Sequence, residues 1–408
     1  MGWKRNLVIL CIGQFLAVAA MSSISPFLSL YIQELGVTNE KEAGLWTGLI
    51  FGSNFFTAFI FSPIWGKIAD KHGRKMMVIR SGIGMAITIT LMGFVSNHIQ
   101  LLILRMINGC ISGFIPASIA LMSTLAPKKK VGYALGILNA AAVSGSIGGP
   151  LIGGVMADHL GYGAIFSYTG ILLFIAAVLV IFFVHEDFVK NEKEEKSSIF
   201  DDFKKITANK PISSLFISVT FVQLATLGTI PLISVFVQEL SPAASNIAFL
   251  SGLAASVMGF SNMLASPRLG KLGDKIGSEN VLLYSVIAAA LFMIPQAFVM
   301  NLWQLIIFRF LFGLCIGGML PSINTLLRHF APEGMESRTY SYSTSAMYLG
   351  NIIGPNIAGL FTAGFGIRSI FIWSGVLLLV NAAWIKKIIM PNISYSSKYS
   401  EARHNVSK

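Results

Sequence analysis

The chain has 408 residues, of which Asp, Glu, Lys and Arg make up 12% and apolar types 54%, with a mean hydropathy of +0.71. Soluble domains carry about 25% charge, so a water-soluble globule is excluded. The net charge of +12 would suggest nucleic acid in a soluble protein; here the positions of the basic residues decide its meaning.

A helix of roughly 20 apolar residues crosses a bilayer core of about 30 Å. Twelve such segments follow one another: Leu7–Gln33, Gly44–Trp65, Met76–Ser96, Ile99–Leu125, Val131–Ala157, Gly163–Val184, Ile212–Glu239, Ala244–Pro267, Val281–Met300, Leu302–Leu327, Tyr340–Ala363 and Ile367–Met390. They are spans 1 to 12. Lys4-Arg5 and the small-residue run Ala17-Val18-Ala19-Ala20 raise a cleaved signal peptide as an alternative for span 1. Its apolar stretch is too long for that, and removal would leave an odd number of spans.

With the N-terminus cytoplasmic, Lys41 and Arg368 fall in outside loops and Arg105 and Arg309 inside spans. The remaining basic residues then lie on the cytoplasmic side, which is the positive-inside pattern. Both termini are expected inside, with membrane lipid as the neighbour. A nucleic-acid partner is not needed, since no aromatic-interleaved basic stripe occurs outside these loops. Cys11, Cys110 and Cys315 sit in three different spans and read as packing residues. Segment 185–211, rich in Glu, Asp and Lys, reads as a solvated cytoplasmic linker with a surface helix at Ile199–Ile206; 391–408 reads as a cytoplasmic tail.

The chain contains itself twice. Ser62-Pro-Ile-Trp-Gly66-Lys-Ile-Ala-Asp70-Lys-His-Gly73 returns 204 positions later as Ser266-Pro-Arg-Leu-Gly270-Lys-Leu-Gly-Asp274-Lys-Ile-Gly277. The same offset carries Arg105, Gly109 and Gly113 onto Arg309, Gly313 and Gly317. An offset of 205 carries Pro116, Gly149-Pro150, Gly154, Gly161, Phe166 and Gly170 onto Pro321, Gly354-Pro355, Gly359, Gly366, Phe371 and Gly375. This places a one-residue insertion between Gly317 and Pro321 and a repeat running from the second to the sixth span of each half. The expected fold is all-α and integral to the membrane, with two six-helix halves, 1–184 and 212–390. An even span count gives both the same orientation, with a substrate path between them.

Between spans 2 and 3, Gly66, Asp70, Gly73 and Arg74 fall where the chain must turn tightly at the membrane surface. Asp70 can pair with Arg74 or cap a helix, making a charge latch that breaks when the halves rock; Gly270, Asp274 and Gly277 repeat it. A topogenic basic loop is the simpler alternative, but topology alone would not keep Gly, Asp and Gly at fixed spacing. On span 5, Gly145, Gly149 and Gly153 stand at i, i+4 and i+8, a smooth face for another backbone, and Pro150 bends the helix. These residues suggest a close-packed helix at the boundary between the halves.

The duplicated latch and the twelve spans resemble the major facilitator superfamily over nearly the whole chain. Arg105 with Gly109 and Gly113 resembles its fourth-span Arg motif. Gly136, Gly145, Gly149, Pro150, Gly153 and Gly154 match its antiporter motif, which in that family marks drug:proton exporters. Trp3-Lys-Arg-Asn-Leu7, Glu34-Leu-Gly-Val37 and Ser266–Asp274 point within it to MdtG-like multidrug resistance proteins. The resemblance implies proton-coupled efflux of amphipathic compounds, a bacterial inner-membrane location, a monomer, and a role for Arg105 in proton transfer.

An arginine inside a span should face the bundle interior and find a carbonyl or carboxylate. No acid lies in mid-membrane, so proton coupling falls to Glu34, Asp158 or Glu239, each close to a span end. Substrate contacts are expected from Gln14, Phe27, Tyr31, Asn54, Asn139, Gln223 and Asn324 as inward-facing polar or aromatic groups. Neither His-Glu-x-x-His, Gly-x-Ser-x-Gly nor a Gly-x4-Gly-Lys-Ser/Thr loop occurs, so an intramembrane enzyme and an ATP-driven pump are set aside and no metal or cofactor is expected. A channel would not need two repeated, rocking halves. Export of one specific metabolite is the competing function.

Overall fold

A computed structural model describes residues 2–127, 130–186, 199–332 and 335–391. Most of the linker, 187–198, and the tail from 392 lie outside the described residues. In hydrocarbon each backbone N–H and C=O must be satisfied within its own segment, which leaves helices or closed barrels. The described residues take the helical solution and contain no strand.

Span 1 is Gly2–Ile24, a tight turn at Ser25–Phe27 carrying Pro26, and Leu28–Glu34. Spans 2 and 3 are Glu40–His72 and Arg74–Met92; span 4 is the broken pair His98–Ile111 and Phe114–Leu125; spans 5 and 6 are Val131–Leu160 and Tyr162–Phe183. After the linker helix Ile199–Thr207, span 7 is Lys210–Leu227 with Ile233–Leu240, span 8 Ile247–Ile276 and span 9 Ser278–Met293 extended to Phe298. Spans 10 and 11 are Leu302–Phe330 and Glu336–Phe365, and span 12 is Ser369–Trp384 extended to Ile389. Eleven are long and apolar enough to cross a membrane on that ground alone. Span 11 falls short because it opens on the polar run Glu-Ser-Arg-Thr-Tyr-Ser-Tyr-Ser-Thr-Ser and carries Asn351, Pro355 and Asn356 in the apolar part that follows.

The latch segment is less of a loop than its sequence suggests. Gly66 to Asp70 lie in the last turns of span 2, and the reversal is made at Gly73 alone, with φ +91. Gly277 repeats it with φ +92, a backbone region that only glycine enters at no steric cost.

Two hydrophobic cores form, one from Leu7 to Val184 and one from Ile206 to Ile389; Ala248 and Leu227 alone join the first from the second. In the first half span 1 packs on spans 5 and 6, span 3 on 6 and span 2 on 4. The halves meet chiefly along two seams, span 2 with 11 and span 5 with 8.

The repeat begins earlier than the sequence reading placed it. Pro26, Ser29 and Gln33-Glu34-Leu35 recur 205 positions on as Pro231, Ser234 and Gln238-Glu239-Leu240. Fully buried Ser29 and Ser234 hydrogen-bond to each other at 2.9 Å. Two copies of one position touch only on an axis relating the halves. Cys110 and Cys315 also share the 205 offset, which moves the extra residue to Leu314. The half without it is the one whose helix breaks, at Ser112 and Gly113 with φ +139, whereas span 10 runs unbroken past Pro321.

Candidate transport pathway and its gates

The far end of the bundle, opposite residues 2 and 391, is shut by backbone against backbone. A Cβ on Gly48 of span 2 would fall on the Pro355 carbonyl of span 11, and one on Gly252 of span 8 would fall on the Pro150 carbonyl of span 5. These are the same contact made twice, once per seam. Gly154 lies against the Ala248 carbonyl, 2.6 Å from where its Cβ would be, and Ser256 donates to the Ile147 carbonyl at 2.6 Å. Asp158, four residues past Gly154, accepts from the backbone N–H groups of Ala248 and Phe249 at 3.0 and 2.8 Å.

The glycine face of span 5 is therefore two faces. Gly145, Gly149 and Gly153 pack on the span 1 backbone at Phe15, Ala19 and Ser23, inside the first half and not at the boundary expected of them. Pro150, Gly154 and Asp158 make the boundary instead. The copies agree: Gly350 and Gly354 pack on span 7, and Gly359 on Gly44 of span 2. Gly136 and Gly148 have open space beside them.

Toward residues 2 and 391 no such glycine seam between the halves is made among the described residues. A Cβ at Gly66, Gly132, Gly136 or Gly270 would meet nothing within 4 Å, and Asp274 is exposed with no polar partner among the described residues. Arg74 donates to the Ala120 carbonyl at 2.9 Å and reaches Ser123 Oγ, so its guanidinium is directed to span 4 of its own half. The carboxylate of Asp70 lies outside the described side chains. Glu186, at the start of the linker, instead holds this corner: its two oxygens accept from the N–H groups of Arg74 and Lys75 at 3.0 and 2.8 Å, capping span 3.

Between these ends, spans 1 to 4 enclose a cavity of about 180 Å³ lined by Ser22, Ser25, Asn54, Phe55, Arg105 and Asn108 among others. Its polar wall is a chain: Thr88 donates to Asn108 at 2.9 Å, and Asn108 donates to Asn54 at 2.8 Å. Arg105 is 9% exposed, and Nε and Nη2 find no partner among the described residues. Arg309 is 2% exposed with Nε and Nη1 equally unpartnered. The carbonyl or carboxylate expected for these arginines is not supplied to those atoms by the described residues. A third intramembrane arginine escaped the sequence reading: Arg80, in span 3, sits over the Trp65 ring at 3.4 Å, and Trp65 in turn donates to the Cys110 carbonyl at 2.6 Å, beside the span 4 break. It lies inside Met76–Ser96, the bounds the sequence gives span 3, although the positive-inside count places it among the cytoplasmic basic residues.

The acids part ways. Glu239 pairs with Arg368 at 2.8 Å, and Arg368 also donates to the Ala297 and Val299 carbonyls, so this is a rim tie within the second half. Glu34 is exposed, with no polar partner among the described residues. Of the proposed substrate contacts, Asn54 faces the cavity; Gln14 is buried with Oε1 unpartnered; Gln223 donates to Asn351 at 3.2 Å. Phe27 and Tyr31 belong to the first-half core: Phe27 packs near Tyr162, and Tyr31 stacks on Phe166 and donates to the Met92 carbonyl at 2.7 Å. They are not pathway groups in this conformation. Asn139 and Asn324 are exposed, on the half of their spans nearer residues 2 and 391.

The sequence profile of the Major Facilitator Superfamily matches residues 10–266 and 248–407. The chain belongs to this superfamily. It is a multi-pass membrane protein of a transporter family that moves small molecules, and not an enzyme. It is 42% identical over 382 residues to the multidrug resistance protein MdtG of Salmonella dublin, covering 94% of this chain and 95% of that protein, and 41% identical over the same span to MdtG of Salmonella typhimurium. Among solved structures it resembles a bacterial homologue of the human lysosomal transporter Spinster in an inward-facing, unoccupied conformation, with TM-score 0.78 at 16% identity over 94% of this chain and 96% of that one. The nucleoside transporter NupG gives TM-score 0.77 at 15% identity, covering 94% and 99%. At such identity the likeness is one of fold.

Proposed function

We propose that the protein is a multidrug exporter of the bacterial inner membrane that expels amphipathic compounds in exchange for protons, working as a monomer with both termini in the cytoplasm. The observation that carries this reading is the 42% identity to MdtG over 94% of the chain. The basic residues set the orientation. In that orientation the far end is the outside, and the conformation is open inward: glycine seams closed outside, latch segments apart inside.

Transport then exchanges one seal for the other. The contacts of Gly48 with Pro355 and Gly252 with Pro150 separate, and the Gly66–Arg74 and Gly270–Gly277 segments approach. The two halves, 1–184 and 212–390, move as units because each has its own core. Arg105 offers unspent donors to whatever enters the cavity beside it, an acceptor group of the substrate or a water that relays a proton. Arg105, Glu34 and Asp158 are the groups through which coupling would run, with Glu239 held back by Arg368.

Dye efflux from energised cells expressing the protein, with and without a protonophore and beside an Arg105→Ala variant, tests the reading. Efflux lost on both treatments supports proton-coupled export. Export of none of a broad panel of amphipathic dyes and drugs by correctly inserted protein refutes it in favour of a carrier for one metabolite.

A further inference from the structure

Asp158 is an ionisable side chain whose bonds cross from one half to the other. Both carboxylate oxygens are used, on the N–H groups of Ala248 and Phe249. These belong to the first turn of the 30-residue span 8, where N–H groups have no partner inside the helix and the helix dipole favours a negative charge. Asp158 stands one turn beyond Gly154 and two beyond Pro150, on the face that meets span 8. Its two bonds therefore exist only while that seam is shut. The other described seam contacts, glycine against carbonyl, Ser256 on the Ile147 carbonyl, the Asn356 amide against Gly52 and the Phe55–Tyr348 ring pair, carry no charge.

The repeat shows that this contact is one-sided. The position 205 residues on is Ala363; beside it, the span 2–11 seam has only the methyl of Thr362 against Gly44, 3.1 Å from where a Cβ would stand. The charges around Asp158 are few. His159 follows it, exposed; Tyr162 of span 6 is in electrostatic reach of both Asp158 and Glu34 of span 1; the first turn of span 8, Ile-Ala-Phe-Leu, has none.

We infer that Asp158 is the lock of the outer gate: by capping span 8 across the seam it holds the inward-open conformation and sets how often the protein opens outward. It is a positioning residue that touches no substrate. The inference rests on the alternating-access reading and adds that the lock is one-sided, on the span 5–8 seam.

The test reads the gate without any drug. In a chain carrying Cys11→Ala, Cys110→Ala, Cys315→Ala and Ser29→Cys, the thiol buried on the axis between the halves, opposite Ser234, is labelled from outside intact cells with a membrane-impermeant maleimide. Asp158→Ala raises the labelling rate at least about ten-fold, the worth of a single charge-assisted hydrogen bond at the low end of its range; Asp158→Asn, which keeps one acceptor, falls between. Gly252→Ala forces the same seam by volume and raises labelling too, which keeps the test decisive if Asp158→Ala does not reach the membrane. Labelling in Asp158→Asn and Gly252→Ala equal to the parent overturns the lock, as does an Asp158→Ala protein that loses thermal stability while its labelling rate stays put. Altered labelling in a protein that exports no dye leaves the lock standing and refutes only the substrate reading.

Discussion

Gly148 and Gly149 are neighbours in one motif, yet the structure separates them sharply. A Cβ on Gly149 would fall on the Ala19 carbonyl oxygen and Ser22 Oγ, and within 3.0 Å of the Ala19 carbonyl carbon; one on Gly148 meets nothing within 4 Å. Ser22 can rotate away, but the Ala19 carbonyl is backbone in the middle of span 1, so Gly149→Ala must push spans 1 and 5 apart. Overpacking of this kind costs about 1–3 kcal/mol. It also acts along a long helix pair, so the seam at Pro150 and Gly154 on the other side of span 5 is displaced with it. Gly148→Ala should stay within about 0.5 kcal/mol of the parent and gain slightly from reduced backbone entropy. Thermal unfolding of the purified protein in detergent, followed by intrinsic fluorescence, and dye efflux from the same variants measure both effects. Gly149→Ala is expected to melt several degrees lower and to export poorly, with Gly148→Ala like the parent. Equal melting temperatures and equal efflux for the two would refute the reading of span 5 as a helix with one interlocked face.

Three further outcomes follow from the geometry. Glu239→Gln should leave dye efflux and its pH profile within about two-fold of the parent, because Glu239 and Arg368 form a pair that is 44% and 40% exposed, a class worth at most about 1 kcal/mol; a shifted pH profile would make Glu239 a coupling group after all. Glu186→Ala uncaps span 3 and should lower stability by about 1–2 kcal/mol, read as a lower melting temperature and faster proteolysis at the linker. Asn54→Ala and Asn108→Ala share a buried hydrogen bond, so a double-mutant cycle on thermal stability should show a coupling of about 0.5–1.5 kcal/mol; additivity would mean the bond is not made.

What the sequence showed and what it hid divide along a physical line. Span count, the turn glycines and the half-length repeat were readable because bilayer thickness, positive φ and duplication leave local marks. Gly73 and Gly277 reverse the chain where the motif spacing said it must turn. Partners were not readable. Whether Gly149 faces span 1 or span 8 depends on how span 5 is rotated about its own axis, which residue spacing alone does not fix, so a motif expected at the boundary is split between two neighbours. Phe27 and Tyr31 looked like pathway aromatics, but the turn at Pro26 rotates them into the first-half core. Arg80 was hidden by standing close to a span end, and Glu186 by lying in a segment read as solvated linker. Pro26 and Pro231, each followed by the same Gln-Glu-Leu, mark the repeat in span 1.

The hydrogen bond between Ser29 and Ser234 has a further meaning. When a residue meets its own copy, the contact has the form of an isologous two-fold interface, in which one surface is complementary to itself. The outer closure of this chain thus has the geometry of a homodimer of six-helix units, written into one polypeptide. In such a dimer every change of sequence would strike both sides together. Once the two copies are encoded separately, each can change alone: Asp158 opposite Ala363, Arg368 opposite Gly163, a broken span 4 opposite an unbroken span 10. At the axis the serines still match, and there the two halves must continue to mutate as a pair.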